Sequence, residues 1–177
     1  MKYRHSFHAG NFADVHKHVT LLALLMALKR KDKGFLYLET HAGRGAYSVR
    51  ADSKASEPHE AEAGVERIAP ATFKAEELRH YVQAIAVFRS ERHDTRAYPG
   101  SPLLAARELR AQDRGVAVEL LAPEARALEL ALGGDTKLRV ERGDGFERMN
   151  VWMPELHEQL DTAHTGGTNV RLMPAPA

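Results

Sequence analysis

The chain has 177 residues, 44% of them hydrophobic, 28% charged and 7% aromatic, with 25 Lys plus Arg against 24 Asp plus Glu. That length suits one domain burying roughly 70% of its unfolded surface, and ordinary apolar content with near-balanced charge excludes intrinsic disorder. The absence of cysteine excludes disulfides, thiolate catalysis and cysteine-ligated metal sites, while a net charge of +1 leaves any nucleic-acid contact to local patches.

Residues Asn11 to Lys31 predict a first helix, with Asn11 as cap, Asp14 in a capping-box-like place and Lys29, Arg30 and Lys31 at the C-terminal dipole. Val15, Val19, Leu22 and Met26 make one stripe, and Leu21, Leu24, Leu25 and Leu28 widen it into a helix expected to be covered on several sides. The apolar run from Val19 to Leu28 is far short of the roughly 20 residues a bilayer needs. With an N-terminus too polar for a signal peptide, no membrane association and a cytoplasmic location are expected.

Phe35 to Thr40 reads as a buried parallel strand ending in an acid, followed by the glycine-rich turn His41-Ala42-Gly43-Arg44-Gly45-Ala46-Tyr47. Residues from about 48 to 96 look like a helical insertion, with candidate helices at Ala55 to Ile68 and Phe73 to Phe88. Tyr98-Pro99-Gly100-Ser101-Pro102 reads as a turn that starts a helix through about Arg110. A strand at Val116 to Leu120, a helix at Pro123 to Leu132 stopped by Gly133-Gly134, and a strand at Lys137 to Glu141 complete an α/β alternation, hence a parallel sheet with crossover helices. Residues 1–150 are taken as one domain and 151–177 as a structureless tail.

Three strand ends carry the chemistry. Glu39-x-x-x-Gly43-x-Gly45 suits a cofactor loop, because glycines let the backbone turn sharply and approach a ligand, though it is equally the form of a plain strand-to-helix turn. Glu119 ends the second strand, where a carboxylate accepts from both ribose hydroxyls or is simply solvated. Gly143-Asp144-Gly145 follows the third, where the Asp meets an adenine amino group or merely makes a turn. His5, His8, His16 and His18 raise a zinc site, but His16 and His18 face different sides of the helix and no carboxylate stands four residues beyond His18, so no metal is expected. A solvated face, or a His/Lys cluster beside a cofactor and RNA phosphate, are the readings left. Arg89, Arg92, Arg96, Arg107, Arg110 and Arg114, set against Glu91, Asp94, Glu108 and Asp113, are compatible with an RNA-facing patch or with solvated helices.

The opening Tyr3-Arg4-His5-Ser6-Phe7-His8-Ala9-Gly10-Asn11, with Ala13-Asp14-Val15 and Lys17-His18, resembles the start of the large-subunit ribosomal RNA methyltransferase J family. Phe35 to Gly43, Tyr98 to Pro102 and Asp144-Gly145-Phe146 continue the match in order over roughly residues 1–148. The resemblance implies a class I S-adenosylmethionine-dependent methyltransferase (Rossmann-like) sheet with a small helical insertion, methylating the exocyclic N6 of an adenine in 23S rRNA. It implies cofactor contacts at His18, His41, Ser101, Glu119, Asp144 and Gly145, with Glu119 at the ribose, Asp144 at the adenine and the Gly43/Gly45 loop at the methionine moiety. Tyr3, His5 and Lys17 would belong to a lid near the target base. The family's catalytic Asp-Pro-Pro-aromatic motif is absent: no Asp precedes Pro154, Pro174 or Pro176. The C-terminal half of the fold is therefore expected to be missing through truncation or a frame shift, leaving the first strand as an open edge. The alternative function is a catalytically inactive S-adenosylmethionine- or RNA-binding fragment.

Overall fold

A computed structural model describes residues 9–49, 60–135 and 137–152. Helix α1 spans Phe12–Leu28. Asn11 caps it as expected, its side-chain oxygen accepting the Asp14 N–H at 2.9 Å. Asp14 answers by accepting from the Gly10 N–H at 3.1 Å, so two orphan donors at the helix entry are satisfied reciprocally. The helix is not covered on several sides. Val15, His18, Leu22 and Leu25 are buried, whereas Leu24 and Leu28 are 59% and 50% exposed. Lys29 does not serve the dipole alone, since its ammonium reaches across to Glu108.

The central sheet contains β1 (Leu36–Glu39), β4 (Arg114–Glu119) and β5 (Leu138–Arg142), all parallel in the order β1-β4-β5. In register, Leu38 faces Val116, which in turn faces Arg139. β4 is central and almost wholly buried, as its Val-Ala-Val run predicts. β1 is only half-buried along its length, because it forms an edge of the sheet among the described residues.

Between β1 and β4 the chain makes a second, smaller sheet that is absent from the sequence-based reading. β2 (Ala46–Ser48) pairs antiparallel with β3 (Ala97–Pro99), placing Tyr47 opposite Tyr98. The segment joining them holds a 3₁₀ turn at Glu60–Glu62, α2 at Val65–Ile68 and α3 at Glu76–Glu91. The helix expected from Ala55 is thus reduced to two short turns, and its first residues lie outside the described residues; α3 is shifted three residues later than expected.

Helix α4 (Ser101–Glu108) begins directly at β3, with Pro102 in its first turn, where its missing N–H costs nothing. Its Leu104 enters one apolar cluster with Leu22, Tyr81 and Ile85, and its Leu103 enters the other with Phe88, Ala117 and Leu128. α4 is therefore the wall shared by the two cores. α5 (Ala122–Leu132) crosses from β4 to β5, and residues 145–152 are helical. The tail expected at 151–177 lies outside the described residues from 153 onward.

Candidate functional site

The C-terminal ends of β1, β4 and β5 converge on one side of the sheet, where α/β proteins bind ligands. After β1 the backbone turns through Gly43 and Gly45, whose φ values of +65° and +76° are left-handed and suit residues without a Cβ. The Gly43 N–H donates to Glu119 Oε2 at 2.8 Å, and the Leu121 N–H donates to Glu119 Oε1 at 2.8 Å. A carboxylate has about four acceptor positions, so each Glu119 oxygen keeps one lone pair for another donor. The Gly143 N–H donates to the Glu119 carbonyl at 3.1 Å, which seats the loop after β5 beside the same residue.

In that loop Asp144 does what a helix N-cap does. Its Oδ1 accepts from the Phe146 N–H at 2.8 Å and the Glu147 N–H at 3.3 Å, starting the helix at 145–152. Oδ2 has no protein partner among the described residues, so capping leaves that oxygen available. Gly145 is required by close approach, because a Cβ there would collide with the Thr40 carbonyl at the end of β1. His41 is exposed, with its Nδ1 2.9 Å from Thr40 Oγ1 and its ring edge-on to Phe146 at 5.1 Å. Leu120, Leu121 and Phe146 are 60%, 59% and 64% exposed, an apolar rim immediately beside the two acids.

Ser101 stands at the same end of the sheet, its hydroxyl donating to Glu39 Oε1 while the Tyr37 hydroxyl donates to Oε2 at 2.7 Å. Glu39 was outside the expected set of contacts. Although the residue keeps some exposure, its carboxyl is enclosed by protein on most sides, and that enclosure governs its titration. Burial pushes it from the ordinary 4.5 up to about 7, against the opposing bonds from Ser101 and Tyr37 and the charge of Lys17. Burial above all, and then the Glu39 charge, keep the Tyr37 phenol protonated as a donor.

A raised carboxyl pKa favours the folded state at low pH. The contribution of Glu39 is fully present below about 4.5 and is lost as pH rises through about 7. Allowing for partial exposure, wild type should lose about 1–2 kcal/mol relative to Glu39→Gln between those limits. Paired denaturant titrations across that window check this, and parallel stability curves for the two proteins would refute it.

His18 reaches this end of the sheet from α1, its Nδ1 2.8 Å from the hydroxyl of Tyr98, three residues before Ser101. Lys17 is exposed and paired with Asp14 at 2.8 Å, while Tyr3 and His5 lie outside the described residues. The six arginines, open between an RNA-facing patch and solvated helices, lie at or near the surface and most have partners within this chain. Arg107 forms a two-pronged pair with Glu91, Arg110 with Asp113, and Arg114 with the carbonyls of Ala111 and Asp113. Arg89 Nε donates to the Ala97 carbonyl, Arg92 lies over the Phe88 ring at 4.7 Å, and Arg96 stands 3.9 Å from Asp94. Among the described residues no group of three or more His, Asp or Glu side chains is placed to hold a metal, and no helix is long and apolar enough to cross a membrane.

A parallel sheet with crossover helices, an acid ending its central strand, a glycine turn beside it and an Asp-Gly pair at the next strand together make a methyltransferase-type α/β fold. The chain belongs to the family described as ribosomal RNA large subunit methyltransferase D, RlmJ, whose model matches residues 32–159. It is 37% identical over 154 residues to ribosomal RNA large subunit methyltransferase J of Haemophilus influenzae and 40% identical over 154 residues to that of Escherichia coli K12. Each alignment covers 87% of this chain and 54% of the relative, so the chain spans about half the length of these curated relatives. The crystal structure of protein LPL1258 from Legionella pneumophila matches with a TM-score of 0.69 and 36% identity, over 83% of this chain and 53% of that one.

Proposed function

We propose that this chain carries the cofactor-binding part of an S-adenosylmethionine-dependent methyltransferase acting on the exocyclic N6 of an adenine in 23S rRNA, in the cytoplasm. The observation that carries the reading is the Glu119 carboxylate, fixed by the N–H groups of Gly43 and Leu121 with acceptor capacity to spare. Glu119 would take the ribose hydroxyls, the free Asp144 oxygen the adenine amino group, and Leu120 and Phe146 the faces of the ring. Gly145 lets the backbone pass close beneath, and the Gly43–Gly45 turn, Ser101, His41 and His18 surround the methionine part.

S-adenosylmethionine supplies an electrophilic methyl group on a sulfonium sulfur. The residues described here bind and orient the cofactor; none of them is assigned to take the hydrogen bonds of the target base's amino group. In the family that task falls to the Asp-Pro-Pro-aromatic motif, which this sequence lacks. Calorimetry with S-adenosylmethionine should show saturable binding, and labelled-methyl transfer to unmodified 23S rRNA, scored as N6-methyladenine, reads turnover. Binding without turnover would assign a non-catalytic binding role, and absence of binding would refute the site.

A further inference from the structure

Strand β1 ends on a carboxyl that the chain encloses without giving it a cation. Both Glu39 oxygens meet hydroxyls, Oε2 accepting from Tyr37 at 2.7 Å and Oε1 from Ser101. No Lys, Arg or His side chain is hydrogen-bonded to it among the described residues. The charge that acts on it from a neighbouring element is Lys17 of α1, which is itself paired with Asp14. A carboxylate held in this way costs stability near neutral pH unless positive charge is brought to it, and burial accordingly raises its pKa to about 7.

Hydroxyl accounting gives the direction of the bonds. The Tyr37 phenol keeps its proton and donates it to Oε2, which fixes one side of the carboxyl. An ionised carboxylate only accepts, so the Ser101 proton is committed to Oε1. The Ser101 oxygen keeps its two acceptor positions, and no protein donor fills either among the described residues. Ser101 is half-buried and opens α4 beside the glycine turn, where the Gly100 N–H donates to the Gly45 carbonyl at 2.6 Å. A hydroxyl fixed in this way accepts from a ligand donor and has no proton for a ligand acceptor. The first turn of α4 carries about half a positive charge, which alone would favour an anion, but the full negative charge of Glu39 outweighs it. Of the two charged groups at an amino-acid end, Ser101 therefore selects the ammonium over the carboxylate.

We propose that Glu39 is a positioning residue and counter-charge for the cationic amino-acid end of the cofactor, acting through Ser101, whose hydroxyl donates to Glu39 and accepts from the ligand's α-ammonium. This rests on the placement of Ser101 in the cofactor site proposed above. Glu39 itself does not touch the ligand. The relay gives a reason for a carboxyl at the end of β1, where an amide of the same shape would be more stable at neutral pH. It also ties the Tyr-Pro-Gly-Ser-Pro segment to the glycine turn, since α4 brings Ser101 to Glu39 while Gly100 is bonded to Gly45.

Calorimetry on the full chain just above neutral pH tests this with three probes. They are S-adenosylmethionine, its decarboxylated form, which keeps the ammonium, and 5′-methylthioadenosine, which lacks the amino-acid end. Glu39→Gln and Ser101→Ala should each weaken the first two about tenfold, the worth of one charge-assisted hydrogen bond, and leave the third unchanged. Because the two residues act in series, the double variant should also lose about tenfold rather than about a hundredfold. Unchanged binding of S-adenosylmethionine by Glu39→Gln, or multiplied losses in the double variant, would overturn the proposal. An equal loss for 5′-methylthioadenosine would mark a merely structural role, and a loss confined to the carboxylate-bearing probe would put the wrong group at Ser101; either result overturns it too. If Glu39→Gln does not fold, the same pattern in Ser101→Ala decides. A wild-type chain that binds none of the probes would refute the cofactor site and the relay with it, whereas wild-type binding with unaffected variants would refute the relay alone.

Discussion

Glu119→Ala is expected to weaken S-adenosylmethionine binding by about 1.5–3 kcal/mol, roughly ten- to a hundredfold, because a charged acceptor is lost. The geometry adds a second consequence. The same carboxylate satisfies the backbone N–H groups of Gly43 and Leu121. Leu121 is largely exposed, so water replaces its partner, but the Gly43 N–H sits in the partly enclosed turn after β1. Losing that bond should loosen the glycine turn and lower the melting temperature even without ligand. Glu119→Gln keeps one oxygen but directs an NH₂ group at one of the two N–H donors, so it should be impaired as well. Calorimetry and thermal melts on the same samples separate the two effects. Unchanged affinity in Glu119→Ala would remove Glu119 from the site.

The parallel strands were legible because each is a short apolar run closed by a glycine turn or by an acid, and the Asn11 cap was legible because its chemistry is local. The ribbon of β2 and β3 was not. Each strand has three residues, too few to show a period-two pattern, and Tyr98-Pro99-Gly100 carries stronger turn signals than strand signals. That ribbon is what places Tyr98 and Ser101, so the contact of Tyr98 with His18, absent from the sequence reading, follows from the missing element. Glu39 was visible as the acid before the glycine loop, but its enclosure by Tyr37 and Ser101 depends on a contact 62 residues away in sequence. The breadth of the α1 apolar stripe misled for a different reason. Periodicity shows which residues share a face, but not whether a second element covers that face, and Leu24 and Leu28 remain open.

The charged residues make the same point about sign counting. Six arginines with a small local excess of positive charge have the composition of a nucleic-acid patch, yet four are hydrogen-bonded to this chain's own groups, while Arg92 and Arg96 stay exposed, the one over the Phe88 ring and the other 3.9 Å from Asp94. Some of these partners come from separate elements, as with Arg107 of α4 and Glu91 of α3, whereas Arg92, Arg96 and Arg114 meet groups within four residues of themselves. A net charge over a window cannot distinguish an open cation from a clamped one. The proposed contact with RNA would be tested first at side chains that fold with their charges unspent.

Asp113 shows how much such a clamp is worth. It has the composition of a surface counter-charge but is 0% exposed, and both of its oxygens are fully used. Oδ2 accepts from the Arg110 N–H at 2.8 Å and from Arg110 Nε at 2.9 Å; Oδ1 accepts from the Phe35 N–H at 3.2 Å and from the second prong of Arg110 at 3.1 Å. Arg110 also donates to the carbonyls of Lys29, Lys31 and Lys33, so the pair ties the end of α1 to the starts of β1 and β4. Burial alone would raise the Asp113 carboxyl, but the bonds from Arg110 and Phe35 outweigh it and hold it below the usual carboxylate range. The group lies just under the surface, with solvent near enough to screen its charge, so its worth is better judged from the hydrogen bonds than from a deeply buried ion pair. Asp113→Ala should destabilise the fold by about 2–4 kcal/mol, mainly by stranding the N–H groups of Phe35 and Arg110. Glu91→Ala, which breaks an exposed pair with Arg107, should cost no more than about 1 kcal/mol. Since the depressed carboxyl favours folding above its unfolded pKa, the margin between wild type and Asp113→Ala should shrink as pH falls through the acid range. Chemical denaturation of both variants at neutral and acid pH measures this, and equal losses for Asp113→Ala and Glu91→Ala would show that the clamp is ornamental.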